Sequence, residues 1–106
     1  MKMRDIKILI INPNSNQMMT EAIQRTAVAF ADGDFIVDTV STPGAPEFID
    51  YYMDAAKAAP GMLKLFKENE DQYDGFVVAC HSDPNLDLLK EISSKPVVGI
   101  GEASMK

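Results

Sequence analysis

Cys80 is the only cysteine of the chain, and it ends the apolar run Gly75 to Ala79 just before His81, Ser82, Asp83 and Pro84. A thiol works as a base or nucleophile only as the thiolate. Backbone N–H groups or the positive end of a helix dipole beside it favour that form. At the carboxyl end of a buried strand, one turn before a helix that starts at Ser82-Asp83-Pro84, Cys80 is expected to have such surroundings. The competing reading is a small buried hydrophobe, the usual state of an unpaired cysteine. His81, the only histidine, would point away from Cys80 in an extended segment, which suits a loop histidine better than a paired base. A second cluster, Asn12-Pro13-Asn14-Ser15-Asn16, closes another apolar run and offers backbone and side-chain donors for a carboxylate or amide. Its simpler reading is a helix cap at Asn14.

Other chemistries lack their residues. The first loop has no glycine to admit a phosphate, and the dinucleotide and Walker glycine patterns are absent. One histidine beside one cysteine gives no metal-ligand spacing, so no metal and no cofactor are expected. A phosphoacceptor module would need acidic residues after the first strand, where this chain has asparagines. Asp32, Asp34, Asp71 and Asp74 fall in turns and read as solvated, and Asp83 reads first as a cap. Met18, Met19, Met53 and Met62 read as core filler.

The elements that must position these clusters alternate strand and helix. Ile6 to Ile11 is almost continuously apolar, as in a central strand covered on both faces. Asn14 as N-cap with Gln17 three residues on has the form of a capping box, which starts a helix at about Ser15 with Met19, Ala22, Ile23, Thr26, Ala27 and Phe30 on its apolar side. Asp32-Gly33-Asp34 ends it. Phe35 to Val40 is a second strand, nearer a sheet edge because it carries Asp38. After the turn Ser41 to Pro46, the spacing of Phe48, Ile49, Tyr52, Met53 and Ala56 predicts a helix from Glu47 that breaks at Pro60, followed by a second piece from Pro60 to Asn69 with Leu63 and Phe66 buried. Gly75 to Ala79 is the third strand. A helix capped by Asp83 and opened by Pro84 follows, with Leu86, Leu88, Leu89 and Ile92 inward, and Pro96 to Ile100 is the fourth strand.

This alternation implies a single α/β lobe over residues 1–106: a four-stranded parallel sheet with right-handed crossovers, in the flavodoxin-like order 2-1-3-4, with helices on both faces. The direction of travel reverses between strands one and three, so the crevice at their carboxyl ends is the natural ligand site. That order sets Asn12 to Asn16 beside Cys80 to Asp83. It also puts one helix on one face and two crossovers on the other, so strands three and four are left with a bare apolar face. Either the chain is part of a longer one or it pairs with another copy.

The totals agree with an ordinary globular domain. Ten basic residues against sixteen acidic give a net charge of −6, which argues against nucleic acid or an anionic membrane. No apolar run approaches the roughly 18 to 20 residues of a membrane helix. A lone cysteine excludes an internal disulfide, and the amino terminus lacks the features of a signal peptide, so a cytoplasmic location is expected.

Three ordered stretches carry a likeness to a known family. Ile11-Asn12-Pro13-Asn14-Ser15 with Met19, Thr20 and Ile23, then Val78-Ala79-Cys80 with Ser82-Asp83-Pro84, and finally Pro96 to Ala103, resemble the hydantoin/allantoin racemase group of the aspartate/glutamate racemase superfamily. The region from Phe48 to Leu63 also resembles that family's second helix. The resemblance implies a cofactor-independent racemase in which a cysteine from each of two pseudo-symmetric lobes flanks an acidic carbon next to a carbonyl. One thiolate removes the proton, and the other thiol returns it on the opposite face. Cys80 matches the first-lobe cysteine. Asn12, Pro13, Asn14 and Ser15, with His81 and Ser82, match positions that hold the substrate's carbonyl or carboxylate oxygens, for a hydantoin, an amino acid or a related carboxylate. His81 and Asn85 stand where the family pattern has an aromatic or small residue and a glycine. The second cysteine and second lobe are not in this sequence, so two opposed thiols would require a second copy or a longer chain. The alternative is a catalytically silent binding module of the same fold. A flavin-binding lobe is disfavoured by the glycine-free first loop.

Overall fold

The computed structural model describes residues 5–104; the readings of the amino terminus, at residues 1–4, and of the chain end, at 105–106, fall outside that range. The elements run β1 (Lys7–Asn12), α1 (Gln17–Ala31), β2 (Ile36–Ser41), α2 (Tyr52–Asn69), β3 (Gly75–Val78), α3 (Leu86–Ile92), β4 (Val97–Gly99) and α4 (Ile100–Ser104). The strands form one sheet in the order β2-β1-β3-β4, and every pairing is parallel. Ile11 lies opposite Val40 on one side and Val78 on the other, and Val78 opposite Gly99. The expected order therefore holds, with β2 at an edge.

Alternation along the strands divides the side chains between two unlike faces. Leu9, Ile11, Phe76, Val78 and Val97 bury against Ala58, Met62 and Phe66 of α2 and Leu86 and Leu89 of α3. The rings of Phe66 and Phe76 meet at 4.7 Å between centroids. Each such side chain contributes roughly 1.5–3 kcal/mol on leaving water, so this is the face that holds the fold together. On the other face Ile8, Ile10 and Val77 look onto an open apolar groove of about 700 Å³, walled by Ala22, Ile23, Ala27 and Phe30 of α1. Phe30 is 83 % exposed. The apolar stripe of α1 thus borders the open groove, with Met19, Ala22, Thr26 and Phe30 exposed, while Thr20 and Ala31 are the helix residues that bury, and nothing in the described chain closes over the groove.

Polar contacts hold α1 in place. Gln24 Nε2 donates to the Val37 carbonyl at 2.9 Å, and Thr39 Oγ1 donates to Gln24 Oε1 at 2.7 Å. The first of these satisfies a carbonyl of the edge strand β2.

Several boundaries differ from the sequence expectation. Helix α1 is capped by Asn16, whose Oδ1 accepts from the Met19 N–H at 3.0 Å. Asn14 is not the cap, because its Oδ1 is held by the Asn16 N–H and by Asn12 Nδ2. Residues 47–51 are not helical; α2 begins at Tyr52, where Asp54 Oδ2 accepts from the N–H groups of Asp50 and Tyr51. Phe48, Tyr52, Met53 and Ala56 are consequently exposed. Pro60 does not break the helix, which continues unbroken to Asn69; the residue is exposed, so water can reach the Ala56 carbonyl, whose donor four residues on is missing in proline. Gly61 beside it is buried, and a Cβ there would collide with the Pro43 carbonyl oxygen, so the loop after β2 packs directly on the α2 backbone. Helix α3 starts two residues later than Pro84, and Ile92 is largely exposed. The chain after Gly99 turns into α4, where more strand was expected. Met18, Met19 and Met53 are exposed, and Met62 alone of the four is core.

Candidate active site

The carboxyl ends of β1 and β3 are adjacent, tied beyond their last pair by the Ala79 N–H to the Ile11 carbonyl at 3.0 Å. The two sequence clusters therefore meet at one end of the sheet. They are built very differently.

The loop after β1 is organised from inside. Asn12 is 1 % exposed, and its Nδ2 donates to Asn14 Oδ1 at 2.8 Å and to Thr20 Oγ1 at 3.0 Å. The Asn14 N–H approaches Asn12 Oδ1 at 3.4 Å. Thr20 Oγ1 lies 2.5 Å from Ser41 Oγ, and Thr42 Oγ1 donates to the Asn12 carbonyl at 2.7 Å. The loop is tied to the turn after β2 by the Thr42 N–H to the Asn14 carbonyl and the Ser15 N–H to the Pro46 carbonyl, each at 3.0 Å. Burial of so many polar groups is tolerated because each finds a partner. Of the residues expected to touch a substrate here, Asn12, Pro13 and Asn14 are buried and Ser15 is exposed. The polar spacing Asn12, Asn14, Thr20 and Ser41-Thr42 was the available signal for this network, and capping logic alone did not find it.

The loop after β3 is a turn, closed by the Asp83 N–H to the Cys80 carbonyl at 2.9 Å; the extended geometry assumed for Cys80 and His81 does not occur. Cys80 is half-buried, its Sγ 3.4 Å from Ser82 Oγ. His81 and Ser82 are exposed. Asp83 and Asn85 both have left-handed backbone, with φ of 49° and 62°. Asp83 does not cap α3 as expected; its carboxylate accepts from the Gly101 and Glu102 N–H groups at 2.8 and 2.7 Å. Asn85 Nδ2 donates to the Ala55 carbonyl at 2.8 Å, tying the turn to α2.

Beside this turn a cleft of about 960 Å³ runs between residues 49–56 and Ser82 to Asn85. Cys80 lines neither the cleft nor the apolar groove. Tyr51 and Tyr52 stand on the cleft wall, largely exposed. The helical spacing of Phe48, Ile49, Tyr52, Met53 and Ala56 gives Tyr52 a buried face and offers no signal for this cleft. Among the described residues no three or more His, Cys, Asp or Glu side chains converge as a metal site would require, and no helix is long and apolar enough to cross a membrane.

A sequence profile described as Asp/Glu/Hydantoin racemase matches residues 8–106. This chain belongs to the Asp/Glu/hydantoin racemase family. Within that racemase family it is 39 % identical over 101 residues to a hydantoin racemase of Pseudomonas sp. (strain NS671), and 33 % identical over 102 residues to one of Paenarthrobacter aurescens. These matches cover 94 % of this chain and 41 % and 43 % of the two relatives. An allantoin racemase from Klebsiella pneumoniae has the same fold, with a TM-score of 0.88 at 36 % identity over 95 % of this chain and 42 % of that one. The chain thus spans less than half the length of these relatives, corresponding to their amino-terminal part.

Proposed function

We propose that this lobe supplies one of the two proton-transferring thiols of a cofactor-independent racemase, and that Cys80 is that thiol. The observation that carries the reading is a lone, half-buried cysteine at the carboxyl end of β3, next to the loop after β1, in a chain of this family. The step is a proton transfer: the C–H bond next to a carbonyl breaks, an S–H bond forms at Cys80, and the electron pair passes to the carbonyl oxygen as an enolate. Ser15, His81 and Ser82 would meet that oxygen or a neighbouring carboxylate, a role their exposure supports. Asn12, Pro13 and Asn14 would serve by holding the loop in shape, since their side chains are already enclosed. The Ser82 hydroxyl can donate to the sulfur when it is a thiolate. The substrate class is a hydantoin, an amino acid or a related carboxylate, handled in the cytoplasm.

One thiol can take a proton and return it only on the same face. Inversion needs a second thiol opposite, from the remainder of a longer chain or from a second copy whose contact buries the open groove. The experiment is solvent exchange of the acidic proton of a 5-substituted hydantoin in heavy water, with optical rotation followed in parallel. A monomeric lobe should exchange without loss of rotation, and an assembly with two opposed thiols should show exchange and loss of rotation together. Exchange that persists in Cys80→Ala would sink the assignment. Heat stabilisation by the hydantoin that survives Cys80→Ser, without exchange in the parent chain, would make the lobe a binding module.

A further inference from the structure

At the start of helix α4 its own side chains make a long contact, Glu102 Oε1 accepting from the Gly99 N–H at 3.4 Å, which leaves the N–H groups of Gly101 and Glu102 to other acceptors. The N-cap position of α4 is Gly99, which has nothing to offer the first orphan N–H groups of the helix. The cap comes from Asp83, whose two carboxylate oxygens take the N–H groups of Gly101 and Glu102 one each. The glycines are what admit it. A Cβ at Gly99 would collide with Asp83 Oδ1, and one at Gly101 would collide with the His81 carbonyl oxygen. The same residue closes the thiol's turn through its own N–H to the Cys80 carbonyl. Asp83 is therefore the joint between the Cys80 turn on β3 and the helix leaving β4. A further side-chain tie to α4, Lys90 Nζ to Glu102 Oε2 at 2.6 Å, joins side chains 40 % and 35 % exposed and leads back to α3, not to the thiol's turn.

We propose that Asp83 is the positioning residue of this site: by capping α4 from across the sheet, its carboxylate fixes the turn that carries the Cys80 thiol. The two left-handed residues flanking Pro84 are a conformation that costs energy; the bond from Asn85 Nδ2 to the Ala55 carbonyl secures the second of them to α2, and the Asp83 clamp secures the first, next to the thiol. A carboxylate is required because two N–H donors converge on it. An amide has only one acceptor oxygen and would turn its NH₂ toward the other donor.

The proposal rests on the reading of Cys80 as the proton-transferring thiol, but its test does not need turnover. Cys80 is the only cysteine, so alkylation by iodoacetamide reports on it alone. In Asp83→Ala, hydrogen exchange at the Gly101 and Glu102 amides should accelerate by about tenfold to a hundredfold, as expected for two lost charge-assisted hydrogen bonds, and the alkylation rate of Cys80 should change by about threefold or more. The deciding variant is Asp83→Ala with Gly99→Ser, which returns a cap to α4 from within the helix but not the tether to the turn. Amide protection should recover while Cys80 keeps the alkylation rate of Asp83→Ala. Recovery of both together, or acceleration of amide exchange with no change at Cys80 in Asp83→Ala, would reduce Asp83 to a helix cap and overturn the proposal. Should the alanine variant fail to fold, Asp83→Ser takes its place in the single and the double variant, since asparagine would keep the side-chain atoms that a Cβ at Gly99 meets. Persistence of proton exchange in Cys80→Ala would instead overturn the parent reading and leave these rates unaffected.

Discussion

The buried asparagine at the end of β1 is the most direct test of how the loop after that strand is built. Asn12→Ala removes two well-formed hydrogen bonds, to Asn14 Oδ1 and Thr20 Oγ1, worth about 1 kcal/mol each net. The acceptors left behind are not stranded, since Asn14 Oδ1 keeps the Asn16 N–H and Thr20 Oγ1 keeps Ser41. The Asn14 N–H does lose its approach to Asn12 Oδ1, and a buried donor without a partner costs about 1 kcal/mol or more. The expected loss is about 3 kcal/mol, a large share of the roughly 5–15 kcal/mol by which such a domain is stable. Asn12→Asp is the sharper perturbation. It places a carboxylate oxygen where Nδ2 now lies, 2.8 Å from Asn14 Oδ1, so the charged form is disfavoured by burial and by an opposing acceptor, and the folded-state pKa of the new carboxyl is raised. A group raised in the folded state stabilises below its unfolded value and loses that contribution as pH rises. The deficit of Asn12→Asp should therefore exceed that of Asn12→Ala at pH about 7 and shrink toward pH about 4. Urea unfolding with linear extrapolation, at several pH values and with the slope checked for constancy, measures both. A cost below about 1 kcal/mol for Asn12→Ala, or a deficit of Asn12→Asp indifferent to pH, would refute the account of Asn12 as a loop-shaping residue and return it to the substrate.

Burial and the Asp38 carboxylate, 2.7 Å from its hydroxyl, push the Tyr73 phenol up to about 12; a raised folded value contributes stability below pH about 10 that is lost as pH rises through about 12, so Tyr73→Phe should flatten the alkaline limb of the stability curve followed by circular dichroism. Gly61→Ala forces a methyl group against the Pro43 carbonyl and should lower stability by about 1–3 kcal/mol in thermal or urea unfolding. Phe30→Glu, on an exposed wall of the groove, should leave the stability of the isolated lobe within about 0.5 kcal/mol while abolishing any concentration-dependent increase in mass by analytical ultracentrifugation. Unchanged self-association of that variant would remove the groove from the dimer contact.

The fold was legible because its signals are local. Ile8 to Ile11 and Phe76 to Val78 are apolar, β-branched or aromatic, and alternate with helical spacings, which leaves few parallel topologies to choose from. The bare face followed from the same counting, since a sheet with one crossover on one side and two on the other cannot be covered evenly. The errors have one physical source: short polar residues that can bond in several ways. Asn14 and Asn16 are equally good caps by type, and only the pull of Asn12 on Asn14 decides between them. Asp83-Pro84 reads as the start of a helix in any sequence window, and the donors that claim Asp83 lie at Gly101 and Glu102, beyond the reach of local pattern. Pro60 reads as a break because sequence does not tell whether its ring will face solvent. The exposed Phe48, Tyr52 and Met53 show the converse, for their helical spacing points to a core that does not extend over them.

The open groove beside α1 has a thermodynamic signature that requires no partner to detect. Unfolding raises heat capacity mainly by wetting apolar surface, by about 1.3 to 1.6 kcal/mol/K for a chain of this length when the native core is closed. Here Ile8, Ile10, Val77 and the stripe of α1 already border solvent before unfolding begins. The isolated lobe is expected to fall below that range, with a correspondingly broad, flat stability curve and cold denaturation set at lower temperature. Calorimetry on the longer relatives, whose additional length could cover this face, gives the reference against which the missing heat capacity becomes a measure of how much apolar surface the lobe leaves in water.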